Sequence, residues 1–355
     1  MSIQVSYKKQ FLFGILFLLI ILSIVEITFR IYDYYVPNCR FMENEIYDRM
    51  SFDLKRNICN DNSRLVWNNN PLHLVPNQHL QTININSDGF RGTELRNSDY
   101  RIFVIGGSTA FGVGTTSDHT TIPGYLQSEI SDNFGEYDIE VINAGIPTAY
   151  SFTEKNMVKD KLLNYDPDLL IIYDGWNDLD RNYDHYYSVQ ISLIGQISMA
   201  IHDSDIVTLI VISKWISNYN YYSMDILPFN SNNIEQKSLL WKNTWMEICD
   251  LQEKYGFKTI LVLQPILGTK KILSAEEQNY FTRYDSEKMS QHYQEYANKL
   301  NSTCMMTFDL RDGFDSNSET IFYDAGHVGD KGNQIIAKKI YDLISPIVQS
   351  DIQKK

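Results

Sequence analysis

Apolar positions along this chain fall into three rhythms. The first is an unbroken run, Phe11–Val25, continued past Glu26 by Ile27, Thr28 and Phe29. As a helix, the stretch 11–29 is about 28 Å long, nearly the thickness of a bilayer's hydrocarbon layer, and it predicts one transmembrane segment. The second rhythm, residues 30–100, is rich in Asn, Asp and Tyr with scattered apolar positions, and it predicts a stalk and an irregular lead-in. From residue 101 short apolar runs recur: Arg101–Ile105, Ile139–Asn143, Asp168–Tyr173, Lys258–Leu263 and Cys304–Phe308. Their Ile and Val content and lack of polar alternation predict strands covered on both faces. Between and after them lie helix-like segments, Ser151–Tyr165, Leu240–Tyr255, Ser286–Leu300 and Lys331–Ile347. In the last, Ile336, Ile340, Leu343, Ile344 and Ile347 recur at helical spacing.

Strands alternating with helices imply right-handed crossovers and a parallel sheet between two helix layers. The expectation over 101–348 is therefore a three-layer α/β/α sandwich on a five-stranded parallel sheet. Residues 180–235 interrupt it with aromatic and Asn-rich sequence around the apolar stretch Ile206–Ile212. That is too long for an ordinary connection and predicts a helical insertion or lid.

Charge refines the first rhythm. Lys8 and Lys9 precede the apolar run, which keeps residues 1–10 in the cytoplasm and sends the remainder across, although Arg30 weakens the asymmetry. No small-x-small cleavage site follows the run, so it reads as an uncleaved signal anchor rather than a removed leader. The whole chain has a formal charge of −13; residues 1–30 carry +2, leaving −15 on the part placed outside the membrane. Such acidity disfavours nucleic acid, whose binding depends on Lys and Arg displacing counterions. The 18 Gly and 9 Pro among 355 residues exclude collagenous and low-complexity chains. Cys39, Cys59, Cys249 and Cys304 are too few for a disulfide scaffold and lack a CxxC spacing. Cys249 and Cys304 read as buried thiols. Cys39 and Cys59 would pair only in an oxidising compartment, and spacing does not decide it.

Ligands of open α/β sheets bind beyond the carboxyl ends of the strands, so the residues that follow each run carry the chemistry. After the first run come Gly106-Gly107-Ser108-Thr109-Ala110, a tight turn that would expose the Ser108 hydroxyl and aim backbone N–H groups at an anion. After the second comes Ala144-Gly145-Ile146-Pro147, and after the third Asp174-Gly175-Trp176-Asn177-Asp178. Before the final helix, Asp324-Ala325-Gly326-His327 puts a carboxylate three residues ahead of an imidazole. Singly, each is an ordinary turn or cap. Together they supply the parts of acyl transfer: a hydroxyl nucleophile, a base, an acid to orient it and donors for an oxyanion.

These four segments resemble, in order, the four blocks of the SGNH hydrolase superfamily, also called GDSL-type esterases and lipases. The resemblance covers about residues 84–347. It implies a flavodoxin-like SGNH fold, with Ser108 as nucleophile, His327 as base and Asp324 orienting it. It places the Ser108 and Gly145 N–H groups and the Asn177 amide in the oxyanion hole. It implies an esterase, or an acyltransferase, that needs no cofactor or metal and acts on a small acyl ester or an acylated glycan, such as an O-acetyl ester on a cell-surface carbohydrate. The segment Asn84–Gly92 is also similar to lead-ins of membrane-anchored members. Departures exist: Gly107 and Thr109 flank Ser108 where the family's name motif has Asp and Leu, and the 180–235 insertion is no family hallmark.

Two other readings use the same residues. A non-catalytic, anchored binding protein would keep the fold without turnover. A nucleotide-binding Rossmann protein would use Gly106, Gly107, Gly112 and Gly114, but their spacing fits neither GxGxxG nor GxxxxGK[ST].

Overall fold

Leu, Ile and Phe dominate the run after Lys9, and all are compatible with a continuous helix. The computed structural model has one there, α1 (Tyr7–Tyr35), 29 residues and so about 43 Å long. It extends beyond the expected 11–29 at both ends and is long and apolar enough to cross a membrane. Its polar side chains are satisfied locally. Ser23 and Thr28 hydroxyls donate to the Leu19 and Ile24 carbonyls at 2.8 Å, and Arg30 Nε lies 2.8 Å from Glu26. Glu26 also accepts the backbone N–H groups of Val207 at 2.9 Å and Thr208 at 3.0 Å, and the Thr208 hydroxyl at 2.7 Å.

The structure describes residues 6–35, 42–69, 72–180, 206–209, 212, 234–301 and 305–354. The chain divides into two units, Met1–Met42 with Tyr187–Pro228, and Glu43–Tyr186 with Phe229–Lys355. Most of the expected insertion at 180–235, along with Cys39 and Cys304, lies outside the described residues.

In the larger unit the helices are α2 (Phe52–Arg64), α3 (Ser108–Phe111), α4 (Ile122–Asn133), α5 (Ser151–Asp160), α6 (Trp176–Asp180), α7 (Ile234–Tyr255), α8 (Ala275–Arg283), α9 (Ser286–Lys299) and α10 (Asp330–Ile352). Five strands, β1 (Tyr100–Gly106), β2 (Ile139–Asn143), β3 (Leu169–Asp174), β4 (Lys258–Leu263) and β5 (Met306–Asp309), form one parallel sheet in the order β2-β1-β3-β4-β5. Strand residues alternate between two helix layers, as a period of two requires. Phe103, Ile105, Leu170, Ile172, Leu261 and Leu263 pack with Trp241 and Trp245 of α7 and Tyr293 and Tyr296 of α9. Ile102, Val104, Leu169, Ile171, Ile260 and Val262 pack with Leu126 and Ile130 of α4 and Ile336, Ile340 and Ile344 of α10. The expected three-layer sandwich is thus the observed one. Only β5 departs from two-sided burial: it is one of the two edge strands, and Met306 and Asp309 are exposed.

The lead-in differs from the expected stalk. From Glu43 onward it belongs to the larger unit, and Tyr47, Ile58, Leu74, Ile83, Ile85 and Phe90 are buried. Its polar residues turn inward as well. Asp61 accepts the Thr82 N–H at 2.5 Å and hydroxyl at 2.8 Å, while Asn86 Oδ1 accepts the N–H groups of Asp88 and Phe90 at 3.0 and 2.9 Å. The short hairpin 78–85 reaches the β2 edge through antiparallel bridges from Ile85 to Arg91 and from Arg91 to Asn143, while the pairing of 67–69 with 72–74 is a sheet of its own. Cys59 on α2 and Cys249 on α7 are both disulfide-bonded, so Cys249 is not the free buried thiol its apolar setting implied.

Candidate active site

The carboxyl ends of β1, β2 and β3 meet where the sequence placed its chemistry. The β1 strand ends at Gly106 with φ +154°, and a side chain there would run into the Tyr173 carbonyl and the Ala110 side chain. Gly107 then turns the chain into α3, one helical turn closed by left-handed Gly112 at φ +92°. Ser108 opens that turn, so its N–H is a first-turn donor without an intrahelical acceptor. The Gly112 and Val113 N–H groups both return to the Ser108 carbonyl, at 2.9 and 3.0 Å, which fixes the residue's backbone.

His327 arrives from the loop before α10. Its Nε2 lies 2.6 Å from Ser108 Oγ, and its Nδ1 lies 2.9 and 3.0 Å from the two Asp324 oxygens. A carboxylate can only accept, so Nδ1 carries the proton and Nε2 is left to accept from the Ser108 hydroxyl. Asp324 is itself held by the N–H groups of Gly326 at 2.9 Å and His327 at 2.7 Å. The Tyr323 ring stacks on the imidazole, 5.6 Å between centroids and 9° between planes, and its hydroxyl donates to the Val113 carbonyl at 2.7 Å. Trp176 of α6 lies against Gly326, where an added side chain carbon would sit 2.8 Å from the indole. The segment leading into this loop is fixed from below: buried Glu277 accepts the N–H groups of Ile321 and Phe322 at 2.9 and 3.1 Å and pairs with Lys270. Ser108, His327 and Asp324 are therefore brought together as expected.

The anticipated oxyanion donors are arranged unequally. Asn177 sits on α6 beside Gly107, and its Nδ2 donates to the Ala149 carbonyl at 2.5 Å. An amide has two hydrogens, so one donor remains for a ligand. Gly145 departs from the expectation: its single N–H donates to Asn143 Oδ1 at 3.0 Å. Its lack of a side chain serves packing instead, because the position lies flat against the α3 backbone at Ala110 and Phe111. The same turn contains a residue the sequence did not reveal, Thr148, held at φ +70°. A β-branched residue rarely adopts that conformation, and strain of this kind concentrates at functional sites.

Beneath the site, Asp174 at the end of β3 accepts Trp241 Nε1–H at 2.8 Å. Burial, then the neighbouring charge of Asp178, pushes its carboxyl well above the usual range. Asp178 accepts the Ser151 N–H at 2.9 Å and hydroxyl at 2.5 Å, which fixes the start of α5 against α6.

No family model and no curated protein matches the chain. Among solved structures it is similar to the acetyl xylan esterase AlAXEase, with 13% identity over 69% of this chain and 99% of that one and a TM-score of 0.42. An alpha/beta hydrolase enzyme from the metagenome of Lake Arreo, Spain, has 13% identity over 69% and 94%, with a TM-score of 0.43. An acetylxylan esterase from Geobacillus stearothermophilus has 15% identity over 69% and 94%, with a TM-score of 0.41. Likeness at this level assigns no activity to the chain.

Proposed function

We propose that the protein is a membrane-anchored serine esterase of the SGNH type, with Ser108 as nucleophile, His327 as general base and acid, and Asp324 as its orienting group. The observation that carries this reading is the continuous hydrogen-bonded run from Asp324 through His327 to Ser108 Oγ, at 2.9 and 2.6 Å. In the first step Ser108 Oγ bonds to the ester carbonyl carbon while its proton passes to His327 Nε2, and the carbonyl π pair moves onto oxygen. In this reading the Ser108 N–H and the remaining Asn177 amide hydrogen are the donors to that oxyanion. Collapse breaks the ester C–O bond, and the leaving alkoxide takes the proton from His327. Water, or another hydroxyl, then attacks the acyl-serine with His327 again as base, which regenerates Ser108.

The substrate in this reading is an O-acetyl or other short acyl ester on a cell-surface carbohydrate. Support for that location comes from α1, with Lys8 and Lys9 ahead of its apolar run, and from two cysteines in disulfides, which persist outside the cytosol. The test is hydrolysis of short acyl esters, acetylated sugars and lipid esters by the detergent-solubilised full chain. Ser108→Ala and His327→Ala should abolish turnover, and Asp324→Asn should lower kcat on the order of a thousandfold or more. Activity indifferent to Ser108→Ala, or none with any substrate, refutes the proposal.

A further inference from the structure

The segment Asn84–Gly92 lies ahead of the first sheet strand and contributes no group to the relay just described, yet it contains a buried cation whose five donors are all met. The Arg91 side chain is fully buried. A guanidinium has five N–H donors, and here each has an acceptor. Nε donates to Asp118 Oδ1 at 2.7 Å, Nη1 to the carbonyls of Phe111 at 3.1 Å and Gly112 at 2.9 Å, and Nη2 to the Thr82 carbonyl at 2.9 Å and Thr115 Oγ1 at 3.1 Å. The guanidinium carbon also lies 4.7 Å from the centre of the Phe111 ring.

Two of those acceptors are the carbonyls of Phe111, the last residue of α3, and of Gly112, which caps it; α3 is the single turn that carries Ser108 at its other end. So short a helix has almost no internal bonding to keep it in place, and a cation at its carboxyl end complements the peptide dipoles. A second clamp meets the first: the Arg91 N–H donates to the Asn143 carbonyl at 3.1 Å, and Asn143 Nδ2 donates to the same Phe111 carbonyl at 3.0 Å while its Oδ1 takes the Gly145 N–H. Arg91 thus joins the lead-in, the nucleophile turn and the β2 loop in one network.

We infer that Arg91 is a positioning residue for the Ser108 nucleophile, holding α3 from behind so that Ser108 Oγ stays within hydrogen-bonding reach of His327. The inference rests on the proposed role of Ser108. Lysine at this position would keep the charge but offer at most three donors from one point, leaving acceptors of the network unmet.

The experiment compares wild type, Arg91→Lys and a distant core variant, Ile344→Ala on α10, by thermal melting, ester kinetics and the rate of labelling by a serine-directed fluorophosphonate. Ile344→Ala should lower the melting temperature and leave kcat and labelling within twofold below its melt. Arg91→Lys should lower kcat and the labelling rate together by roughly ten- to a hundredfold, with KM within about twofold, as expected for a displaced reacting atom. Should Arg91→Lys fail to fold, Asp118→Asn, which removes only the charge facing Nε, decides, with a smaller fall in the same two rates. Wild-type labelling rates in the folded Arg91 or Asp118 variant, or a rise in KM at unchanged kcat, would overturn the inference. Failure of wild type itself to label, by contrast, defeats the esterase reading and not the clamp.

Discussion

Replacing Gly145 by alanine separates a packing role from a hydrogen-bonding one, since the backbone N–H survives the change. A Cβ built at Gly145 lies 2.7 Å from Phe111 Cα and 2.8 Å from the Ala110 carbonyl carbon, and closer still to Phe111 N. Ordinary contact begins near 3.4 Å, so the two backbones must separate by at least about 0.7 Å. The part that gives way is α3, because β2 and its loop are held in the sheet by their ladder. Overpacking of this kind costs about 1–3 kcal/mol of stability, within what a domain of this size tolerates. The catalytic consequence is larger: a shift approaching 1 Å between Ser108 Oγ and His327 Nε2 is worth on the order of a hundredfold in kcat. The assay is steady-state hydrolysis of a short acyl ester at a temperature where circular dichroism shows the variant folded. A folded Gly145→Ala protein with wild-type kcat would refute the argument that this position sets the distance between the second loop and the nucleophile turn.

Two further substitutions probe the frame around the site. Glu277→Gln leaves the Lys270 ammonium, whose side chain is 0% exposed, without its counter-charge, and should destabilise the protein by about 3–5 kcal/mol in urea unfolding. The double change Glu277→Gln with Lys270→Met should recover much of that, and a single variant within 1 kcal/mol of wild type would contradict a buried pair. Asp174 bears on pH. Because burial and Asp178 raise its folded pKa, the native state keeps a proton that the unfolded chain releases near pH 4. That stabilisation is full below the unfolded value and is lost as pH rises through the folded one. Relative to wild type, Asp174→Asn should therefore gain stability as pH is raised from 5 to 9, and parallel curves of urea midpoint against pH would refute the raised value.

The sheet was legible because each of its inner strands meets apolar neighbours on both faces, which wrote Ile102 to Ile105 and Leu169 to Ile172 as uninterrupted apolar runs. The relay was legible for a related reason, since strand-end turns and the Asp324-to-His327 spacing are local features that sequence order preserves. The lead-in was misread because polarity there means internal hydrogen bonding rather than exposure: Asn44, Asp61, Asn86 and Arg91 are all buried. Nothing local announces that Arg91 will find the Phe111 and Gly112 carbonyls, because those partners are brought near only by the fold. The Asn143 side chain that occupies the Gly145 N–H is by contrast local, an Asx turn two residues long. The α4 helix was missed because Pro123 and Gly124 interrupt its pattern, yet Thr121 caps it and Pro123 sits in its first turn, where proline is favoured.

The burial of the lead-in also bears on when the candidate site can form. Synthesis delivers residues 43–47 first, but their partners come far later. Asn44 Nδ2 donates to the Tyr280 hydroxyl at 3.0 Å, Glu45 accepts the Thr320 hydroxyl at 2.7 Å, and Tyr47 packs against Tyr323, 5.9 Å between rings. Closure of contacts spanning most of the chain is slow and follows the local ones. The beginning of the unit is thus sealed by its end, beside the residue that completes the relay. Until residues 320–327 have been synthesised the unit lacks both that seal and His327, so the arrangement around Ser108 is completed last.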